Sequence, residues 1–448
     1  MAKEKHPNGL KWLFLTEMWE RFGFYTMMAV LTLYMKNTFE WSVGKTTLIY
    51  GFFNGTVYFF PILGGWIADR WWGQVKAVRY GAIIMGLGYA VLSVSSVERL
   101  PVFFAGLLII TIGSGFLKAN ISVLVGNLYK EGSPLKDAGF NIFYMGINIG
   151  AFAAPWAATF LHRISVSEYI RNDQGDIINE ITKFNSYNAS FLLAAFGMVA
   201  CVIIFLLSQK TFAMADMTAG KRKDENLDSV ELQTMSKEEE FQRYLALGGL
   251  IIISAFFWSV FYQNGASLTY FADDSTRQYP LLIAETYQSI NPFFIVALTP
   301  LLVLFFKKLR AKGKEPLVPT KIFWGCIIAG FWPLVMVAAS YFGGDKDQNL
   351  MSPLWLIGAY LIVTISEILI SPMGLSYISK VAPPRVRGLS MGFWFGSVGA
   401  GAILSGVMCR WMYAKFPHHT FFMVLSGLLF FSAILVLLFK KQLQKFGA

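Results

Sequence analysis

Cysteine, histidine and charge are all scarce in this chain: its 448 residues include 3 Cys and 4 His, and only 15% are Asp, Glu, Lys or Arg. Cys201, Cys326 and Cys409 stand alone within or at the ends of apolar stretches, so neither a disulfide framework nor a metal site is predicted. They read as small apolar packing residues. His6, His162, His418 and His419 fall in the N-terminal segment or in loops and read as solvated imidazoles, with no acid at metal-ligand spacing. There is no low-complexity tract, no short-period repeat, and no Gly-rich loop ending in the Lys-Ser/Thr that a phosphate loop requires. With no catalytic constellation to be found, an enzyme is not expected, nor is a cofactor.

Apolar sequence is what the chain has in excess, at 55% hydrophobic and 16% aromatic residues. Such a composition excludes an ordinary soluble protein and predicts one embedded in a lipid bilayer. A bilayer core needs about 20 consecutive mostly apolar residues per helix. Twelve such runs are expected, near 10–35, 46–68, 77–96, 101–129, 138–161, 189–208, 244–272, 289–306, 322–342, 351–379, 389–413 and 420–439. The first is too long and too charged for a signal peptide. A net charge of +11 raises the question of nucleic acid, but the distribution answers it. With the N-terminus inside and the chain alternating through twelve spans, 26 of the 38 Lys and Arg fall on the inner side, counting span-end residues with their flanks. This is the positive-inside asymmetry of a plasma (inner) membrane protein with both termini cytoplasmic, and no nucleic-acid partner is implied.

The polar stretch Lys210 to Arg243 divides the chain into an N-terminal six-helix bundle (1–208), a cytoplasmic linker (209–243) and a C-terminal six-helix bundle (244–448). Ser236 and Glu239 have capping-box spacing, which predicts a short surface helix leading into the seventh span. The other long polar insertion runs from His162 to Tyr187 on the outside. Six plus six helices around a linker is the plan of transporters built from two repeats, which bind substrate between the halves near the membrane midplane. Gly146-x-x-x-Gly150 and Gly392-x-x-x-Gly396 offer small faces for close helix contact, and Pro61, Pro155, Pro292, Pro300, Pro333 and Pro372 interrupt predicted spans.

Ionisable residues at membrane depth cost several kcal/mol unless a partner or cavity receives them, so each one is a candidate for function. Within Glu17-Met-Trp-Glu-Arg-Phe-Gly-Phe-Tyr25, helical periodicity puts residues 17, 20, 21, 24 and 28 on one face. Lys118 lies inside the fourth run and Glu367 inside the tenth. Two bases and three acids in an apolar zone form a cluster able to titrate, the chemistry of proton coupling, although a static charge network between helices would use the same residues.

At these residues the chain resembles the proton-dependent oligopeptide transporter family of the major facilitator superfamily. The likeness rests on Glu-x-x-Glu-Arg-Phe-x-x-Tyr at 17–25, Gly-Gly-Trp-Ile-Ala-Asp-Arg at 64–70, Gly-Phe-Leu-Lys-Ala-Asn at 115–120, Phe-Tyr-Met-Gly-Ile-Asn-Ile-Gly-Ala-Phe at 143–152, Phe-Trp-Ser-Val-Phe-Tyr-Gln-Asn-Gly-Ala-Ser-Leu at 257–268, Ile-Asn-Pro at 290–292 and Ser-Glu at 366–367. It implies a monomeric, all-α, twelve-helix symporter that imports dipeptides and tripeptides with protons by alternating access. Carried over, Glu17, Glu20, Arg21 and Lys118 make the proton-coupling group, and Arg21 and Lys118 attract the peptide carboxylate. Glu367 takes the peptide ammonium, Asn148 and Asn291 give amide hydrogen bonds, and Tyr25, Tyr58 and Trp394 line side-chain pockets, core packing being the alternative for the aromatics. Met28 and Tyr262 stand where the family often has a base and an acid, and Phe24-Tyr25-Thr26 replaces its Tyr-Tyr-Gly. The runner-up reading is a proton-coupled carrier of nitrate or another small organic anion, which Lys118 and Arg21 would suit and Glu367 would disfavour.

Overall fold

The computed structural model describes residues 5–130, 133, 135–164, 167–171, 177–182, 185–216, 236–343, 345, 348, 350–383 and 387–446. Where apolar segments exclude water, each backbone N–H and C=O must bond within its own segment, so long runs close into helices. The long helices are α1 (Asn8–Phe39), α2 (Val43–Ile67), α3 (Gln74–Ser93), α4 (Leu100–Asn127), α5 (Lys136–Arg163), α6 (Ser186–Ser208), α7 (Lys237–Phe261), α8 (Ile290–Ala311), α9 (Val318–Tyr341), α10 (Pro353–Val381), α11 (Arg387–Met408) and α12 (His418–Leu438), followed by the short α13 (Lys440–Phe446). Among the described residues, ten stretches of helix are long and apolar enough to cross a membrane. The long helices outside those ten are α1 and α5, of 32 and 28 residues, which carry more polar residues along their length.

Side chains mark several helix starts. Asn185 accepts from the amides of Tyr187 (3.0 Å) and Asn188 (3.4 Å), Ser352 from that of Leu354 (3.3 Å), and Ser236 from that of Glu239 (3.2 Å). The Ser236 cap opens one continuous helix through Phe261, not a separate surface helix. Of the expected linker, 217–235 lies outside the described residues. Pro61, Pro155, Pro300, Pro333 and Pro372 are accommodated inside helices without ending them.

Between α5 and α6, Ser167–Arg171 (β1) and Ile177–Thr182 (β2) pair as a short antiparallel hairpin, with a register irregularity at Ile170/Arg171, in an otherwise helical architecture. Two expectations need correction. The seventh run is not one helix. After Phe261 the chain tightens into a 3-10 turn (Tyr262–Gly265), makes one helical turn (Ser267–Tyr270) and then widens into a π turn (Phe271–Ser275). The buried Gln263 amide holds this break, donating to the carbonyls of Ser259 (3.2 Å) and Ser405 (3.4 Å) while its oxygen accepts from Ser267 (2.9 Å) and the Cys409 thiol (3.0 Å). The histidines, finally, are engaged. His6 meets the Tyr129 hydroxyl at 2.9 Å, His162 meets Glu285 at 3.4 Å, His419 pairs with Asp345, and His418 stacks on Tyr413.

The chain forms two compact units. One comprises Met1–Trp41, Leu63–Thr218 and Tyr279–Ser289; the other comprises Ser42–Ile62, Ala219–Gln278 and Ile290–Ala448. Glycine sets the helix crossings inside each. In the first, α3 and α4 approach until a Cβ on Gly81 would lie 2.8 Å from the Gly113 carbonyl oxygen, and one on Gly88 would lie 2.8 Å from the Ile110 nitrogen. Gly64 of α2 has no room for a Cβ against the backbone of Gly115. Gly146 and Gly150 of α5 lie on α1 at Phe14 and at Met18–Phe22, as their spacing predicts. The second unit differs from expectation. Its tight seam uses Gly51 and Gly55 of α2 against Ala402, Gly406 and Gly399 of α11, whereas Gly392 and Gly396 meet only the side chains of Ile62 and Phe59 at ordinary distance. Between α8 and α9, hydrogen bonds from Arg310 and then Lys321 hold the Glu315 carboxyl down at about 2.

These crossings predict a sharp contrast. Gly81→Val should destabilise the protein by about 1–3 kcal/mol, because the added atoms meet backbone that cannot yield, whereas Gly248→Ala, with nothing within 4 Å, should be neutral or stabilising. Thermal unfolding of the two variants in detergent checks this.

Candidate functional site

Each unit buries ionisable side chains within a polar cluster. In the first, α1 brings Glu17, Glu20 and Arg21 onto successive turns, and all three are buried, at 3%, 0% and 4% exposure. The Arg21 guanidinium is shared. Its Nε pairs with Glu20 and lies 3.1 Å from Glu17 Oε1, its Nη2 donates to Glu20 Oε1 at 2.7 Å, and its carbon sits 5.3 Å from the centre of the Phe24 ring. One guanidinium with a fork of donors thus serves two carboxylates. Glu17 Oε2 is buried and receives no hydrogen bond from the described residues. Lys118, half-buried on α4, acts electrostatically on Glu17.

The backbone around these groups is fixed by close approach. Gly150 of α5 lies over Met18–Phe22, and Gly23 meets the Ala194 carbonyl of α6, where a Cβ would be 3.0 Å away. One turn before Lys118, Gly115 lies on Gly64, and the Asn120 amide reaches the Gly64 carbonyl at 3.4 Å as well as that of Phe116 at 2.8 Å. Asn120 follows Lys118 by two residues, a spacing that gives no sign in the sequence that it faces α2. Asn148 is buried, and its amide donates to the Tyr144 carbonyl of its own helix at 2.9 Å. Tyr25 is half-buried, edge-on to Phe24 at 5.5 Å. Met28 is buried at 3% exposure.

In the second unit, α8 and α10 bring Asn291 and Glu367 together, 76 residues apart in sequence. The Asn291 amide donates to Glu367 Oε2 at 2.7 Å and to Thr364 Oγ1 at 3.0 Å. Glu367 is 8% exposed, and no Lys, Arg or His among the described residues pairs with it. Sequence reasoning passed over Thr364, although its position three residues before Glu367 puts both on one face of α10. Trp394 is buried over Gly374, where no side chain would fit beneath its ring, so it packs α11 on α10. Tyr58 and Tyr262 face each other at 6.1 Å, and Tyr262 continues into Trp258 and Phe261 as an aromatic cluster. Among the described residues no group of three or more His, Cys, Asp or Glu is placed to hold a metal ion.

Long apolar helices enclosing buried charge in each of two units define an integral membrane protein whose interior handles polar groups. Residues 75–226 and 213–422 match the sequence profile of the POT family. Peptide transporter YePEPT of Yersinia enterocolitica is 33% identical, the match covering 90% of this chain and 87% of that protein. Dipeptide and tripeptide permease A of Serratia proteamaculans is 28% identical over 90% of this chain and 83% of its own length. Among solved structures, a peptide transporter POT in complex with sulfate superposes with a TM-score of 0.82 at 28% identity, covering 99% of this chain and 95% of that one. The chain belongs to the POT family.

The shared guanidinium makes a prediction about stability. Arg21→Met strands two buried carboxylates and should cost about 3–5 kcal/mol, while the triple variant Arg21→Met, Glu17→Gln, Glu20→Gln should recover most of that loss. Unfolding midpoints in detergent at neutral pH measure both.

Proposed function

We propose that this protein is a proton-coupled symporter that imports dipeptides and tripeptides by alternating access. It would work as a monomer in the plasma (inner) membrane, with both termini cytoplasmic and the proton gradient as its driving force. On this reading α1 and α5 also span the bilayer: at about 1.5 Å per residue their 32 and 28 residues exceed the apolar thickness. That gives twelve spans in two six-helix bundles, 1–208 and 244–448, joined by a cytoplasmic linker, 209–243.

The observation that carries the proposal is Glu367: a buried carboxylate with a neutral amide donor and no cation paired to it among the described residues. Burying such a group costs several kcal/mol unless something positive visits it, and a peptide ammonium meets that need. Arg21 and Lys118 then take the peptide carboxylate, and Asn148 offers its amide oxygen. A substrate carrying both charges is favoured over nitrate or a simple organic anion, which would leave Glu367 unanswered. Tyr25, Tyr58 and Tyr262 supply aromatic surface tolerant of varied side chains, while Trp394 contributes through packing.

Proton coupling is assigned to Glu17, Glu20, Arg21 and Lys118. Glu17 Oε2, which takes no donor from the described residues, is the oxygen given to the transported proton. The two carboxylates compete for one guanidinium, so anything that draws Arg21 away, a peptide carboxylate included, leaves an acid that must gain a proton or another cation. This links substrate to proton without a separate relay.

In proteoliposomes, an inward proton gradient should drive accumulation of a labelled dipeptide. Lys118→Gln should reduce accumulation to the level of the gradient-free control while weakening peptide binding far less; unchanged accumulation would remove Lys118 from the coupling group.

A further inference from the structure

Thr364 has no assigned role, yet it touches the amide that touches Glu367. Its hydroxyl donates to the Tyr360 carbonyl at 2.6 Å, which leaves its oxygen free only to accept, and that oxygen accepts from Asn291 Nδ2. The amide has two N–H bonds. One goes to Thr364 and the other to Glu367, so the nitrogen is held toward the carboxylate and the amide oxygen is turned away. Thr364 is fully buried, and Tyr360, whose carbonyl anchors it, is itself tied by its phenol to the Asn264 carbonyl at 3.3 Å.

We infer that Thr364 is a positioning residue that locks the Asn291 amide in its donor orientation and thereby keeps Glu367 an anionic acceptor for the substrate ammonium. A carboxylate that receives a hydrogen bond is favoured in its charged form. Without the hydroxyl the amide is free to turn its oxygen toward residue 367, an arrangement that a protonated carboxyl satisfies as donor and a carboxylate does not. Thr364 therefore decides which protonation state the site accepts.

No other described group competes for that control. The helices packed against α10 are α7, α8, α9 and α11. On α7, Lys237, Glu238, Glu239, Glu240, Arg243 and Tyr244 lie in the first turns, and Arg243 is committed to Glu239 and the Val381 carbonyl. Lys307, Lys308 and Arg310 close α8, while Lys321 opens α9 against Glu315 and Cys326 and Tyr341 follow it. α11 contributes Arg387 at its start, and α10 itself carries Tyr360, Tyr377 and Lys380. Among the described side chains, none of these hydrogen-bonds or pairs with Glu367.

This inference rests on the proposed ammonium role of Glu367, and the test separates the two. Full-length protein in proteoliposomes is assayed for competition by a free dipeptide and by its N-acetyl form across pH, and pH-difference infrared spectra follow the carboxyl band that vanishes in Glu367→Gln. In the wild type the free peptide competes better, and its advantage fails on the acid side as residue 367 protonates. Losing a hydrogen bond to a charged group disfavours the charge, so in Thr364→Val the acid limb and the infrared titration should both move up by about one pH unit. Thr364→Ala should shift them likewise, and Thr364→Ser should restore the wild-type profile. A Thr364→Val or Thr364→Ala titration that coincides with wild type overturns the inference and leaves the ammonium role standing. Equal competition by free and acetylated peptide in the wild type overturns the ammonium role, and with it the substrate meaning of the lock.

Discussion

One guanidinium shared between two buried carboxylates is the constraint around which the first unit is built. Glu17 and Glu20 both meet Arg21 where all three are buried, and glycine brings the neighbouring helices close around them. Gly150 lets α5 lie directly on the turn that carries them, and Gly23 does the same for α6. A larger residue at either place would lift a helix, admit water and weaken every electrostatic interaction in the cluster. Close packing and charge are thus a single device here: neither the short crossings nor the buried ions are useful without the other.

The second unit solves the converse problem. No cation among the described residues pairs with Glu367, so its environment must tolerate a carboxylate without cancelling it. A neutral amide does this, since it stabilises the anion with a hydrogen bond while leaving its charge intact. Asn291 in turn needs orientation, and Thr364 provides a third point of contact. The two units therefore differ in kind: one holds an internally compensated network with an acid in excess, the other an uncompensated acid.

Much of this was legible in the sequence because charge is rare against an apolar background. Glu17, Glu20, Arg21, Lys118 and Glu367 stand out as single letters, and helical periodicity places the first three on one face, where the structure buries them. The helices themselves follow from run length. What stayed hidden is what depends on pairing between distant segments. Periodicity says that Asn291 and Glu367 are each on helices but not that those helices meet. Glycine spacing finds Gly146 and Gly150, yet the same spacing at Gly392 and Gly396 yields only loose contact, because the partner surface decides whether a small residue is used. The break after Phe261 has no proline to announce it and is held by Gln263, whose four partners lie on α7, on α11 and in the turns that follow each. The histidines sit at the ends of apolar runs, where sequence alone reads them as solvated loop residues, but His162 closes α5, His418 and His419 open α12, and His162 and His419 each face an acid.

The fate of the three thiols carries a last consequence. Cys201, Cys326 and Cys409 are all free and fully buried, the last occupied with Gln263. Thiol chemistry runs through an accessible thiolate, so water-borne maleimides and methanethiosulfonates find no native target in the folded state. The natural chain is in this sense already a blank: a single engineered surface cysteine would carry a spin label or fluorophore alone, and distances between two such labels would follow conformational cycling without the removal of any native residue.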